Sequence, residues 1–224
     1  MKTAVVVFPG TNCEHDVAYA LRAVGADPEL VWHRESDLSD FDGVVLPGGF
    51  AHGDYLRTGA IARFSPVMVE VARLATEGRP VLGICNGFQI LCEAGLLPGA
   101  LIQNQQLRFI CRPVHVRVAS TESMLTRSLE VGAVLQLPLN SYEGNYTAPD
   151  FDLNSVVLQY CSPTGQVTPS DNPNGAIGNT AAVTNETGNV VGIMPHPERA
   201  IESALGSRDG RLLLEGMLTA LSHA

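Results

Sequence analysis

Lysine is almost absent from this chain: Lys2 is the only one among 14 basic residues, and the other thirteen are arginines. That scarcity removes the phosphate loop G-x-x-x-x-G-K-[ST], a Schiff-base lysine for a pyridoxal cofactor and the kinase-type lysine. No G-x-G-x-x-G occurs either, so any ATP used in the same pathway is expected on another chain or domain. Cysteine is sparse and unpaired in pattern. Residues 13, 85, 92, 111 and 161 are odd in number and contain no C-x-x-C, which argues against a disulfide framework and a structural zinc site. Positive charge is short as well: the net charge is −9 and the pI about 5.0, so a nucleic-acid backbone would be repelled. Long apolar runs are missing. Ala4 to Phe8 is too short for a signal-peptide core and is broken by Pro9-Gly10, and nothing later approaches a membrane span. A cytoplasmic protein without nucleic-acid or membrane partners is expected.

What is present is apolar substance in short pieces. With 224 residues and 45% hydrophobic content, the chain can bury one large core, and a single α/β domain over 1–224 is expected. Thr3 to Phe8, Leu30 to His33, Gly43 to Leu46 and Pro80 to Ile84 read as strands, the first, third and fourth without polar alternation, as in a parallel sheet covered on both faces. Thr11 and Glu14 fit a capping box for a helix burying Val17, Ala20, Leu21 and Val24, stopped by Gly25. Ser65 and Pro66 read as N-cap and first residue of a helix to Glu77, with Val67, Val71 and Leu74 inward. The later half looks antiparallel. Cys111 to Val118 alternates, Ala133 to Leu139, Ser155 to Tyr160 and Ala181 to Thr184 follow, and Asn185 to Asn189 connects to Val190 to Met194 as a hairpin. Ser162 to Asn179, with three prolines and three glycines, reads as a functional loop, and a closing helix from Arg211 to Leu221 is expected to bury Leu212, Leu213 and Leu218. The architecture expected is a mostly parallel central sheet flanked by helices, with an added antiparallel portion.

The chemistry gathers at Gly83-Ile84-Cys85-Asn86-Gly87. A strand ends at Ile84, and Phe88, Ile90, Leu91 and Ala94 fall at near-helical spacing up to a capping Gly95, so Cys85 sits at a strand-to-helix corner. This is the cysteine version of the G-x-S-x-G nucleophile elbow. The glycines leave room for a turn that lifts one side chain above the sheet, and the helix N-terminus favours the thiolate. Cys92, seven residues on, is most simply a core residue. A thiol nucleophile needs a base and an orienting carboxylate. His196-Pro197-Glu198 offers both, because residues two apart in extended chain point to one side and Pro197 biases His196 toward that conformation. Pro47-Gly48-Gly49-Phe50, after a buried strand, leaves backbone N–H groups free to approach a ligand. His52 and Asp54 read as a solvated loop, and Cys13-Glu14-His15-Asp16 as an acidic first helical turn rather than a metal site. No metal is expected.

Gly83-Ile84-Cys85-Asn86-Gly87-Phe88-Gln89 with His196-Pro197-Glu198 resembles the class I, or triad, glutamine amidotransferases. Asn86 and Phe88 sharpen the resemblance to the branch that forms the glutaminase subunit of phosphoribosylformylglycinamidine synthase. Further matches run along almost the whole chain: FPGTNC at 8–13, PGGF and GDYLR within 47–57, GAIARFS at 59–65, RFICR at 108–112, EGNY at 143–146, NPNG at 172–175 and TNETGNVVGIMPHPER at 184–199. Two stretches depart from that branch. Asn140-Ser141-Tyr142-Glu143-Gly144 stands where Ala-His-Gly-Glu-Gly is common, and Ala51-His52 where Ser-Tyr is usual. The resemblance implies that Cys85, His196 and Glu198 form a catalytic triad and that Gly48, Gly49, Asn86 and Gln89 bind glutamine or its oxyanion. It implies ammonia delivery to a large ATP-dependent synthetase subunit carrying ATP and Mg, with a small bridging subunit, and no cofactor in this chain. A freestanding γ-glutamyl thiol hydrolase, or a non-enzymatic binding module on the same fold, are the other readings.

Overall fold

A computed structural model describes residues 1–219. Among them a nine-stranded sheet runs in the order β2-β1-β3-β4-β11-β10-β9-β6-β7. Its first part is parallel: β1 (Lys2–Val7) lies between β2 (Asp27–Trp32) and β3 (Gly43–Leu46), followed by β4 (Val81–Ile84) and β11 (Val190–Ile193). Every residue of β3, β4 and β11 is buried, the burial expected for continuous apolar strands covered on both faces. From β10 (Thr180–Thr184) through β9 (Val156–Cys161), β6 (Ile110–Val118) and β7 (Val134–Ser141) the pairing is antiparallel, and β7 alternates buried and half-buried residues along its length. Two three-residue strands, β5 (Ala100–Ile102) and β8 (Asn145–Thr147), pair separately. They are too short to leave a periodic signal in sequence.

The helices α1 (Glu14–Ala23), α2 (Val67–Thr76), α3 (Asn86–Glu93) and α4 (Asp209–Thr219) pack their apolar faces on the core. Both predicted caps are corrected. Thr11 Oγ1 accepts a hydrogen bond from the Phe8 N–H at 2.9 Å, so it closes the turn after β1 instead of capping α1. Ser65 Oγ is paired with His33 Nδ1 at 3.0 Å, and α2 begins at Val67, behind Pro66. The strand expected from Leu30 starts at Asp27, because β2 is an edge strand where the missing N–H of Pro28 costs no ladder bond. On α4, Leu213, Leu214 and Met217 are buried while Leu212 is 42% exposed and Leu218 half-buried, which corrects the predicted inward face by one position. The expected end of this helix at Leu221 lies outside the described residues.

The register of three adjacent parallel strands assembles the site. Leu46 pairs with Gly83, and Gly83 and Ile84 pair with Gly192 and Ile193. The chain therefore leaves β3 into Pro47-Gly48-Gly49, β4 into Cys85 and β11 into Met194-Pro195-His196 side by side at the carboxyl ends of the strands, where ligands gather in open α/β folds.

Candidate active site

Cys85 occupies the corner between β4 and α3 with φ 51° and ψ −103°, a left-handed backbone that a residue bearing a Cβ adopts only under constraint. The constraint is visible. The Cys85 N–H donates to the Ile193 carbonyl at 2.8 Å, and a Cβ at Gly87 would collide with the Leu46 carbonyl oxygen. One at Gly83 would come 2.6 Å from the Gly87 carbonyl group. Only glycine fits where helix, elbow and neighbouring strand approach this closely.

His196 and Glu198, each 2% exposed, are joined through Nδ1 and Oε1 at 2.6 Å. The expected side-by-side placement in extended chain is corrected. His196 is extended, but Pro197–Arg199 forms one turn of 3₁₀ helix, and that turn brings the Glu198 carboxylate back to the imidazole. The His196 N–H is anchored on the Pro138 carbonyl of β7 at 2.8 Å. Its other ring nitrogen, Nε2, is buried without a hydrogen bond of ordinary geometry and has the thiols of Cys85 and Cys13 near it. Burial alone would lower the pKa of His196. The Glu198 charge, the two thiols and the short hydrogen bond outweigh it and hold His196 well above its ordinary value.

The cleft in front of Cys85 is lined by Gly49, Gln89, His196, Asp54, Thr58 and Glu143, among others. Gly48 lies behind His196 and outside this lining: a Cβ there would sit 2.8 Å from the imidazole Cε1, so the glycine makes room for the ring. The Asn86 side chain is equally occupied. Its carbonyl accepts from the Ala51 N–H at 2.9 Å, and its amide donates to Gln89 Oε1 at 2.8 Å and Asp54 Oδ1 at 3.3 Å. Gln89 donates onward to the Glu143 carbonyl at 2.6 Å.

Several lining residues escaped the sequence reading. The solvated loop expected at His52 and Asp54 is corrected: Asp54 is half-buried in the cleft, and His52 packs edge-on against His33. Cys13, read only as part of an acidic helix start, points to His196 and accepts from Arg199 Nη2 at 3.2 Å, while His15 stays exposed. Ser141 lines the cleft with a buried hydroxyl that has no partner. The loop at 162–179 acts from a distance, since its Asn174 donates to the Gly144 carbonyl at 2.7 Å. Only the motifs EGNY and NPNG signalled the last of these contacts.

A buried thiol on a strand-to-helix elbow, beside an imidazole–carboxylate pair at the carboxyl ends of parallel strands, is the arrangement of a thiol hydrolase, and the chain's relatives place it among the class I glutamine amidotransferases. The family model described as a CobB/CobQ-like glutamine amidotransferase domain matches residues 1–211. The chain is 50% identical over 229 residues to phosphoribosylformylglycinamidine synthase subunit PurQ of Koribacter versatilis, covering 99% of each. It is 50% identical over 225 residues to the protein of the same name in Chlorobium chlorochromatii, covering 97% of this chain and 96% of that one. A chain in the structure of PurLQS from Thermotoga maritima superposes with a TM-score of 0.89 at 40% identity over 98% of both. The chain belongs to the PurQ family. A glutamine amidotransferase from Thermotoga maritima, at TM-score 0.59 and 17% identity, shares the fold.

Proposed function

We propose that Cys85, His196 and Glu198 carry the chemistry of a glutaminase subunit of phosphoribosylformylglycinamidine synthase, acting in purine biosynthesis. The observation that carries this reading is the His196–Glu198 pair at 2.6 Å beside the Cys85 elbow, in a chain half identical to PurQ subunits. The Cys85 thiol gives its proton to His196 and attacks the side-chain amide carbon of glutamine. The tetrahedral oxyanion is held by backbone N–H groups of Gly49 and Asn86, a kind of donor whose loss elsewhere costs about 3 to 4 kcal/mol. His196 returns the proton to the leaving nitrogen, ammonia departs, and a γ-glutamyl thioester remains on Cys85. Water activated by His196 then releases glutamate and restores the thiol. Glu198 keeps the imidazole oriented and favours its charged form. Gln89 and Asn86 fix the loops around the substrate.

Ammonia freed in water would be protonated and lost as a nucleophile, so it passes to a partner synthetase that uses ATP and Mg to form the amidine. The lack of a phosphate-loop lysine in this chain fits that division. The partner is the large synthetase subunit, with a small bridging subunit, and the complex works in the cytoplasm, which suits a chain whose cysteines are all free. The surface beside the cleft is apolar: Tyr55 is 72% and Leu56 81% exposed, and Phe50 and Phe109 stand exposed at the mouth. Such side chains next to a cleft mark a docking face.

Co-purification with the synthetase and parallel glutamine and ammonia assays test this reading. Weak glutamine hydrolysis by the isolated chain, a strong rise in the complex and glutamine-dependent amidine formation are expected; equal rates alone and in complex would contradict it. Leu56→Asp is expected to weaken assembly about tenfold or more, as for a truncated interface anchor, while leaving the isolated fold intact. Gel filtration with the synthetase and a thermal melt of the free chain read the two effects. Unchanged assembly would remove Leu56 from the interface.

A further inference from the structure

Cys13 stands against the triad and has no part in the mechanism. It is 3% exposed, and its sulfur, a ring nitrogen of His196 and a carboxylate oxygen of Glu198 all lie within 4.8 Å of one another. The thiol of Cys85 approaches the same imidazole from the end of β4. Gly48 leaves open the space on which these side chains converge: a Cβ there would lie 2.8 Å from His196 Cε1, 3.2 Å from Cys13 Sγ and 3.5 Å from Cys85 Cβ. His196 Nε2, next to that Cε1 in the ring, is buried without a hydrogen-bond partner.

Two sulfurs and an imidazole nitrogen are a donor set for zinc, which takes them at about 2.3 and 2.0 Å in a tetrahedron. The far side of the ring is built as for a metal-bound histidine. Glu198 Oε1 holds Nδ1 at 2.6 Å, which fixes the imidazole and strengthens Nε2 as a donor to a metal. Cys13 is fixed as well, its thiol donating to Asn12 Oδ1 at 3.3 Å and accepting from Arg199 Nη2 at 3.2 Å. The charges balance. Zinc(II) with two thiolates and a neutral imidazole carries no net charge, and Glu198 offsets Arg199, so the ion enters a buried site without leaving an uncompensated charge. Glutamine hydrolysis needs only one thiol at His196, whereas a metal site uses both.

We infer that Cys13, Cys85 and His196 form a zinc(II) site that holds the glutaminase off while the ion is bound. The ligand atoms are Cys13 Sγ, Cys85 Sγ and His196 Nε2, with a water from the cleft in the fourth position. Two protons leave as the ion binds, one from Cys13 and one from the Cys85–His196 pair. The nucleophilic sulfur and the nitrogen of the base are then both ligands, and neither can react until the ion is removed. The inhibition rests on the glutaminase reading; the metal site does not.

The test titrates zinc, and cobalt(II) as its spectroscopic substitute, into the metal-free full chain and the assembled complex. Calorimetry is expected to show one zinc per chain, with glutaminase activity falling in step with occupancy and returning when EDTA is added. Cys13→Ser and Cys13→Ala should each weaken zinc binding at least about tenfold, and should weaken inhibition equally when it is measured against the variant's own metal-free rate. Thiolate-to-cobalt absorption counts the sulfurs without depending on how the Cys13 variants fold. The unaltered chain should show about twice the intensity per bound ion of Cys85→Ala, in which Cys13 is the remaining sulfur ligand. Unchanged zinc affinity in Cys13→Ser, or no thiolate absorption in Cys85→Ala, overturns the inference, since the nucleophile alone would then take the ion. Zinc bound through Cys13 by a complex that never hydrolyses glutamine, even when free of metal, would overturn the glutaminase reading and leave the site standing.

Discussion

Cys85→Ala is expected to abolish glutamine-dependent amidine synthesis, by about 10⁴-fold or more, the scale on which removal of a triad nucleophile acts. Ammonia-dependent synthesis by the same complex should survive. The contrast follows from the division of labour: the thiol makes ammonia, and the partner consumes it. The substitution is also mild for the fold, since it removes only the sulfur of a small buried side chain whose one hydrogen bond, to the Asn140 carbonyl, is weak at 3.5 Å. Cys92 and Cys161 are poor replacements. Burial pushes Cys92 far up, and burial with the nearby Asp171 pushes Cys161 up to about 11, so neither supplies a thiolate at neutral pH. Cys85→Ser should behave like the alanine variant, because a hydroxyl is far harder to ionise. Glutaminase activity retained in Cys85→Ala would falsify the assignment of the nucleophile, and loss of the ammonia-dependent reaction as well would point to a collapsed interface.

How much of this was legible before any coordinates depended on the range of the interaction. The buried strands β1, β3, β4 and β11 carry their own signal, because a strand covered on both faces must be apolar throughout. The corner at Cys85 is likewise local, since its glycines sit within two residues of it. The start of β2 was not legible. Whether Pro28 can enter a strand depends on its lying at a sheet edge, which no neighbouring residue encodes. Thr11 and Ser65 stand where capping residues stand, and the fold gave their hydroxyls other partners, the Phe8 N–H and His33. The acidic end of the cleft is hidden for the same reason: Asp54 and Glu143 are 89 positions apart, and both line the cleft on loops that α3 ties to itself through Asn86 and Gln89. The spacing of His196 and Glu198 signals their pairing but not its geometry, which uses a 3₁₀ turn in place of extended chain.

Glu198→Gln is expected to reduce kcat by about 10² to 10⁴-fold while sparing the fold, as for the neutral variant of a triad carboxylate. A glutamine amide at this position can donate to Nδ1, which leaves the proton on Nε2 and deprives the nitrogen facing Cys85 of its capacity to accept one. The charge matters as much as the tautomer. Burial presses the His196 pKa down, and Glu198 is the largest single influence raising it. Without that carboxylate a fully buried imidazolium has no compensating charge, and the thiolate–imidazolium state becomes costly. Stability should follow the same proton. A histidine whose folded pKa stands above its unfolded value contributes stability that is fully present below about pH 6.5 and fades as pH rises through the folded value. The Tm deficit of Glu198→Gln should therefore be largest below about pH 6.5 and shrink toward alkaline pH. Thermal melts across that range, paired with the alkylation rate of Cys85 by iodoacetamide at neutral pH, measure both consequences. A deficit that does not vary with pH, together with unchanged alkylation, would mean that Glu198 holds the ring in place without sustaining its charge.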